Sequence, residues 1–126
     1  MARAMPLWVV PAEDRAAGLR EYLDRITADG LVTPEVAARA WEAWLQVQAA
    51  LGGRLAVPDA CPGADGQILY TWDEGDHHLE LEIVPAGPFE YFYRSRATGK
   101  FWGCEFEPGG EVPADARAQL AGLSPP

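Results

Sequence analysis

The sequence predicts an α+β domain: an N-terminal helical hairpin packed on one face of a four-stranded antiparallel meander, closed by a short C-terminal helix. Three observations carry this expectation. Apolar residues recur at helical spacing up to about residue 57, the period changes to two from Gln67 onward, and each junction between the alternating runs carries turn chemistry. A chain of 126 residues suits a single domain over 1–126, with a helical part at 1–57, a sheet at 67–106 and a C-terminal helix at 113–122. At this size a folded chain buries roughly two-thirds of its unfolded surface, enough to fold without a metal or disulfide staple.

The first helix is expected from Pro11 to about Ala28. Pro11 suits a first helical position, Glu13 and Asp14 sit where the helix dipole favours acids, and Leu19, Tyr22, Leu23 and Ile26 form the apolar stripe. Gly30 is the stop. The second helix starts at Thr33-Pro34-Glu35, with Thr33 as N-cap, and carries Ala37, Ala40, Trp41, Trp44, Val47 and Leu51 toward the core before Gly52-Gly53 ends it. Both tryptophans are expected in the core. From Arg54 to Gln67, Pro58, Pro62, Gly63 and Gly66 break any period, which predicts an ordered crossing loop.

Four alternating runs follow, at 67–72, 77–84, 89–96 and 100–106. A four-residue first turn sets Trp72 opposite His77 and Tyr70 opposite Leu79. A five-residue connection sets Leu81 opposite Tyr91. A three-residue third turn, with Gly99 in the left-handed position, sets Ser95 opposite Phe101. These registers put Ile68, Tyr70, Trp72, Leu79, Leu81, Ile83, Phe89, Tyr91, Tyr93 and Phe101 on a core face. They put Leu69, Thr71, His78, Glu80, Glu82, Glu90, Phe92, Arg94, Trp102, Cys104 and Phe106 on the other. Pro113 opens the last helix, which Val112, Ala116 and Leu120 can dock.

The strings Tyr70-Thr71-Trp72-Asp73-Glu74-Gly75-Asp76-His77-His78-Leu79-Glu80-Leu81-Glu82-Ile83 and Glu90-Tyr91-Phe92-Tyr93-Arg94-Ser95-Arg96-Ala97-Thr98-Gly99-Lys100-Phe101-Trp102-Gly103 resemble a family of small uncharacterised bacterial proteins. The resemblance spans about residues 67–106. It implies the meander and a bacterial source, and it attaches no activity and no catalytic residue.

Charge narrows the function. The net charge is −9 and the pI about 4.5. That argues against direct nucleic-acid binding, which needs cations at phosphates, and against an anionic membrane surface. No apolar run approaches the ~20 residues of a membrane span. The stretch Leu7-Trp8-Val9-Val10 is interrupted by Pro6 and Pro11 and has no signal-peptide pattern, which points to the cytoplasm. Cys61 and Cys104 fit no metal spacing and read as free thiols. Cys104, beside Phe92 and Glu80 in the expected register, stays a thiol.

No phosphate loop, nucleophile elbow or Ser/His/Asp arrangement is visible, and the reading favours a binding protein over an enzyme, with no cofactor. The expected binding face is Trp102, Phe92, Arg94, Arg96 and Phe106: exposed aromatics with arginines suit a protein–protein contact, and the acidic charge suits a basic protein partner. An antitoxin- or immunity-like inhibitor is the concrete form. Two alternatives stand beside it. One is a small metal-dependent hydrolase using His78, Glu80 and Glu82, which alternation puts on one strand face. The other is a homo-oligomeric structural subunit that buries the aromatic face against a copy of itself. The opposed pair Glu82 and Glu90 reads as an exposed pair of acids rather than a catalytic dyad, and His77 as a hydrogen-bonded histidine on the core side.

Overall fold

The computed structural model describes residues 16–123. Among them run α1 (Ala17–Ala28), α2 (Pro34–Ala50), β1 (Asp59–Pro62), β2 (Ile68–Glu74), β3 (His77–Ile83), β4 (Phe89–Ser95), β5 (Phe101–Phe106) and α3 (Ala114–Ala121). The fold is α+β, with three helices and one antiparallel sheet of five strands in the order β1-β2-β3-β4-β5. The expected helix start at Pro11, with Glu13 and Asp14, lies outside the described residues.

Local chemistry sets the helix ends. The Thr33 side chain accepts from Val36 N at 3.2 Å, and Pro34 occupies the first turn, where no N–H partner is needed. At the end of α1, Leu31 N reaches back to Ile26 O at 2.9 Å and Gly30 N to Thr27 O at 3.0 Å, a Schellman closure.

The loop expected at 54–67 contains a fifth strand. Asp59–Pro62 pairs with β2, with Cys61 opposite Leu69 and Pro62 opposite Ile68. Prolines hide such a strand from a pattern search, yet an edge strand tolerates Pro because one side of its backbone needs no ladder partner.

The three remaining junctions show how turn length decides which face a side chain takes. Between β2 and β3 the loop is two residues, Gly75-Asp76, because Glu74 faces His77. Gly75 has φ 58°, as the first central position of a type II′ turn requires. The pairing therefore moves by two from the expected one: Trp72 faces Leu79 and Tyr70 faces Leu81. A shift of two leaves every side chain on its expected face. The β3–β4 register is the expected one, with Leu81 opposite Tyr91.

The β4–β5 register is not. Ser95 N donates to Lys100 O at 3.0 Å and Gly99 N to Ser95 O at 2.8 Å, so the loop holds four residues, Arg96 to Gly99, with Gly99 at φ 69°. Arg94 then faces Phe101, and Tyr93 faces Trp102. This slip of one residue turns β5 over. Trp102, Cys104 and Phe106 join the inner face, while Phe101, Gly103 and Glu105 point outward. Packing favours this parity, since it buries Phe106 and packs Trp102 and Cys104 against the core, where the other would turn Phe101 inward with a glycine and a glutamate.

The inner face carries the core. Ile68, Tyr70, Leu79, Leu81, Ile83 and Phe89 are fully buried against Val36, Ala40, Trp44 and Val47 of α2. The Tyr70 hydroxyl donates to Ala40 O at 2.6 Å, and burial raises its pKa. Trp72 Nε1 donates to Ala56 O at 2.7 Å. Arg39 ties α2 to the β3–β4 connection through Val84 O at 2.9 Å and through Gly87 O, with its guanidinium 5.3 Å from the Phe89 ring centre. Trp41 differs from Trp44. It is half-buried and lies under the Arg20 guanidinium of α1 at 4.7 Å. The C-terminal helix completes this side: Ala116, Leu120 and Leu123 are buried, and the Tyr91 hydroxyl donates to Gln119 Oε1 at 2.9 Å. Helix α3 is thus on the inner face, and among the described residues the outer face carries no helix.

Candidate functional site

Strand pairing arranges the outer face in rows. Cys61, Leu69, Glu82, Glu90 and Glu105 form one row across all five strands. Asp59, Thr71, Glu80, Phe92 and Gly103 form the next. Asp73, His78, Arg94 and Phe101 form the third.

The first row sets three carboxylates directly across from one another, Glu82 to Glu90 to Glu105. Facing residues on neighbouring strands have Cβ atoms about 4.5–5.5 Å apart, and like charges there destabilise a sheet. None of the three makes an ion pair among the described residues. With Glu80, Phe92 and Gly103 they line an open cleft of about 420 Å³. Gly103 forms its floor because it has no side chain, and a Cβ there would sit 3.2 Å from Tyr91 O. Phe101 stands beside the cleft, 66% exposed, with its ring centre 5.7 Å from that of Phe92.

The third row holds a closed charge network. His78 Nδ1 lies 2.9 Å from Asp73 Oδ2, and His78 Nε2 lies 2.6 Å from Glu80 Oε2. An ionised carboxylate only accepts, so carboxylates on both ring nitrogens favour the form in which both donate, the imidazolium. The hydrogen bonds to Glu80 and then to Asp73 raise its pKa, against a smaller opposing effect of burial. Arg96 reaches the same Asp73 oxygen at 2.6 Å and donates to Gly75 O at 2.8 Å. Those bonds, from Arg96 first and His78 second, hold the Asp73 carboxyl well below the usual carboxylate range. The β2–β3 turn and the β4–β5 loop are thereby laced together.

Of the residues expected to bind a partner, the structure brings Phe92 and Arg94 to the outer face. Arg96 is in the loop at its end, occupied by Asp73. Trp102 and Phe106 are corrections. Trp102 is half-buried on the inner side, with its ring edge-on to Tyr91 at 5.8 Å, and Phe106 is buried against Phe89 at 5.7 Å. Both were displaced by the single extra loop residue. Phe101, Gly103 and Glu105 take the outward places; the sequence signal for this is that Trp102, Cys104 and Phe106 are all apolar, but Gly99 suits either loop length. Cys104 also turns inward, where burial, with Asp115 second, raises its pKa.

The geometry does not bring His78, Glu80 and Glu82 together as a set of ligands. Both imidazole nitrogens are engaged by carboxylates, and Glu82 faces Glu90 in another row. Among the described residues no group of three His, Cys, Asp or Glu side chains is placed to hold a metal ion. His77 keeps the expected inner position, 2.8 Å from the Tyr93 hydroxyl. No described helix is long and apolar enough to cross a membrane. Comparison with known proteins finds no matching family model, curated protein or solved structure.

Proposed function

We propose that the outer sheet face is a docking surface for a basic segment of a partner protein. The observation that carries this reading is the uncompensated row Glu82–Glu90–Glu105 beside an outward-facing aromatic pair, half-buried Phe92 and exposed Phe101. A row of facing carboxylates costs stability in the free protein, and a Lys or Arg laid across it offsets that cost. The aromatic pair adds apolar area and a π-face for a cation. The cleft is open and broad, which suits an ammonium or guanidinium on a side chain better than a bare ion held by close ligands. Small size and net charge −9 support an inhibitor of a basic protein, in the manner of an antitoxin or immunity protein.

Calorimetry with a short Arg- and Lys-rich peptide tests this. A variant carrying Glu82→Gln, Glu90→Gln and Glu105→Gln should bind at least about tenfold more weakly than the parent, which corresponds to about 1.4 kcal/mol. A control that neutralises Glu21, Glu35 and Glu42 on the helices changes net charge equally and should lose less than about threefold. Equal losses in the two variants would reduce the effect to bulk charge and remove the outer face as a site.

A further inference from the structure

Among the described residues the outer face ends at an open strand edge. Among the described residues β5 has a neighbour only on the β4 side. The bond from Ser95 N to Lys100 O makes 95 and 100 a hydrogen-bonded pair. Such pairs alternate along an antiparallel ladder, so the backbone N–H and C=O groups of Phe101, Gly103 and Glu105 turn away from β4, into the free edge. Natural sheets blunt such edges with proline, lysine, bulges or very short strands. The opposite edge follows that rule: β1 is four residues long and ends in Pro62. Strand β5 has six residues, Phe-Trp-Gly-Cys-Glu-Phe, with no proline, lysine or bulge in it.

The same three residues that expose their backbone also line the cleft or stand beside it. Gly103 opens the cleft sideways to the edge, because no side chain closes it there. We propose that the basic segment enters as a sixth, antiparallel strand on β5, and that its alternate side chains read the outer face. This proposal rests on the docking surface above and specifies how it is used. Every ladder in this sheet is antiparallel, and antiparallel pairing is the more stable per residue.

The register sets the chemistry of the incoming strand. Its first outward residue lies opposite Glu105 and is a Lys or Arg. Its next outward residue lies opposite Gly103, where a long basic side chain has room to fold back over the cleft toward Glu90 and Phe92. Its third outward residue lies opposite Phe101 and is apolar. The recognised pattern is basic-x-basic-x-apolar, with main-chain bonds supplying affinity and alternate side chains supplying selectivity. A second copy of this chain fits the edge poorly. Two-fold pairing about Gly103 would bring together two molecules of charge −9 along their acidic faces, with no cation opposite Gly103 or Glu105.

The test leaves the protein unaltered and changes the ligand backbone. A short peptide alternating Thr with Arg, Arg and Leu in that pattern is made in three forms: unmodified, N-methylated at the Arg residues, and N-methylated at the intervening Thr residues. In a hydrogen-bonded pair the residue facing the edge donates its N–H to β5, so methylation at Arg removes ladder bonds while methylation at Thr points outward. Methylation at Arg should weaken binding at least about tenfold, and methylation at Thr by less than about threefold. Equal affinity for the two methylated forms would overturn strand addition while leaving a face-bound segment standing, provided the triple Gln variant still loses affinity. Indifference of the unmodified peptide to that triple variant would remove the surface and the proposal with it. A dimer of the protein alone, seen by sizing and left intact by the peptide, would assign the edge to a second copy and overturn the proposal too.

Discussion

Replacing Phe106 and Phe101 separately with alanine tests the register of β5, on which the composition of the outer face depends. Phe106 is 5% exposed and packs edge-on to Phe89 with ring centres 5.7 Å apart, whereas Phe101 is 66% exposed. Truncating a buried Phe removes roughly 100 Å² of apolar surface from the interior, worth about 2.5 kcal/mol at about 25 cal/mol per Å². The lost edge-to-face pair adds about 1 kcal/mol, and the cavity left behind brings the total into the range of about 3–5 kcal/mol. Phe101→Ala should cost no more than about 0.5 kcal/mol, as surface substitutions do. In urea, at a slope of about 1.5 kcal/mol per molar, Phe106→Ala should lower the unfolding midpoint by about 2–3 M. Phe101→Ala should move it by no more than about 0.3 M. A three-residue β4–β5 loop would reverse the order, exposing Phe106 and burying Phe101. Equal or reversed losses would refute the four-residue loop and everything built on Phe101, Gly103 and Glu105 facing outward.

Trp44→Ala should destabilise by about 3–5 kcal/mol, because Trp44 is 1% exposed between α2 and the sheet. Trp41→Ala should cost less than about 2 kcal/mol, since half-burial and the Arg20 contact are all it loses, and denaturant titration separates the two. The His78 network should respond to pH. His78 has a pKa raised from 6.5, so its stabilisation is complete below 6.5 and lost as pH rises through the folded value. Asp73 has a pKa lowered from 3.8, so its contribution is present above 3.8 and lost as pH falls through the folded value. Urea midpoints of the parent should therefore decline on the alkaline side of 6.5, and those of His78→Gln should not. Parallel curves would show that the two carboxylates do not hold the proton on His78.

Legibility followed the range of the interaction involved. Thr33-Pro34 announced a helix start because the cap bond spans three residues and needs nothing else. The alternation of β2, β3 and β4 sorted their side chains correctly even where the β2–β3 pairing was off by two, since a period of two cannot distinguish registers of equal parity. The edge strand β1 was invisible because Pro58 and Pro62 leave too short a run to show a period, and its evidence lies in the partner, β2. At the candidate site alternation places Phe92, Arg94, Glu80, Glu82 and Glu90 on the outer face, while one loop residue turns Trp102 and Phe106 inward against the expected register.

The amino-acid sequence by itself determined the element types other than the edge strand β1, the parity of the central strands, the excess of acid and the inner burial of Leu79, Leu81 and Tyr91. These rest on local propensity, periodicity and charge, which each segment carries alone. Tertiary structure alone decided the length of the β4–β5 loop, the placing of α3 on the inner face through Tyr91 and Gln119, and the convergence of His78, Arg96 and Asp73. Each is a choice between arrangements that are locally near-equivalent. A four-residue and a three-residue loop both accept Gly99 at positive φ, and only the burial of Trp102, Cys104 and Phe106 together against the helices separates them.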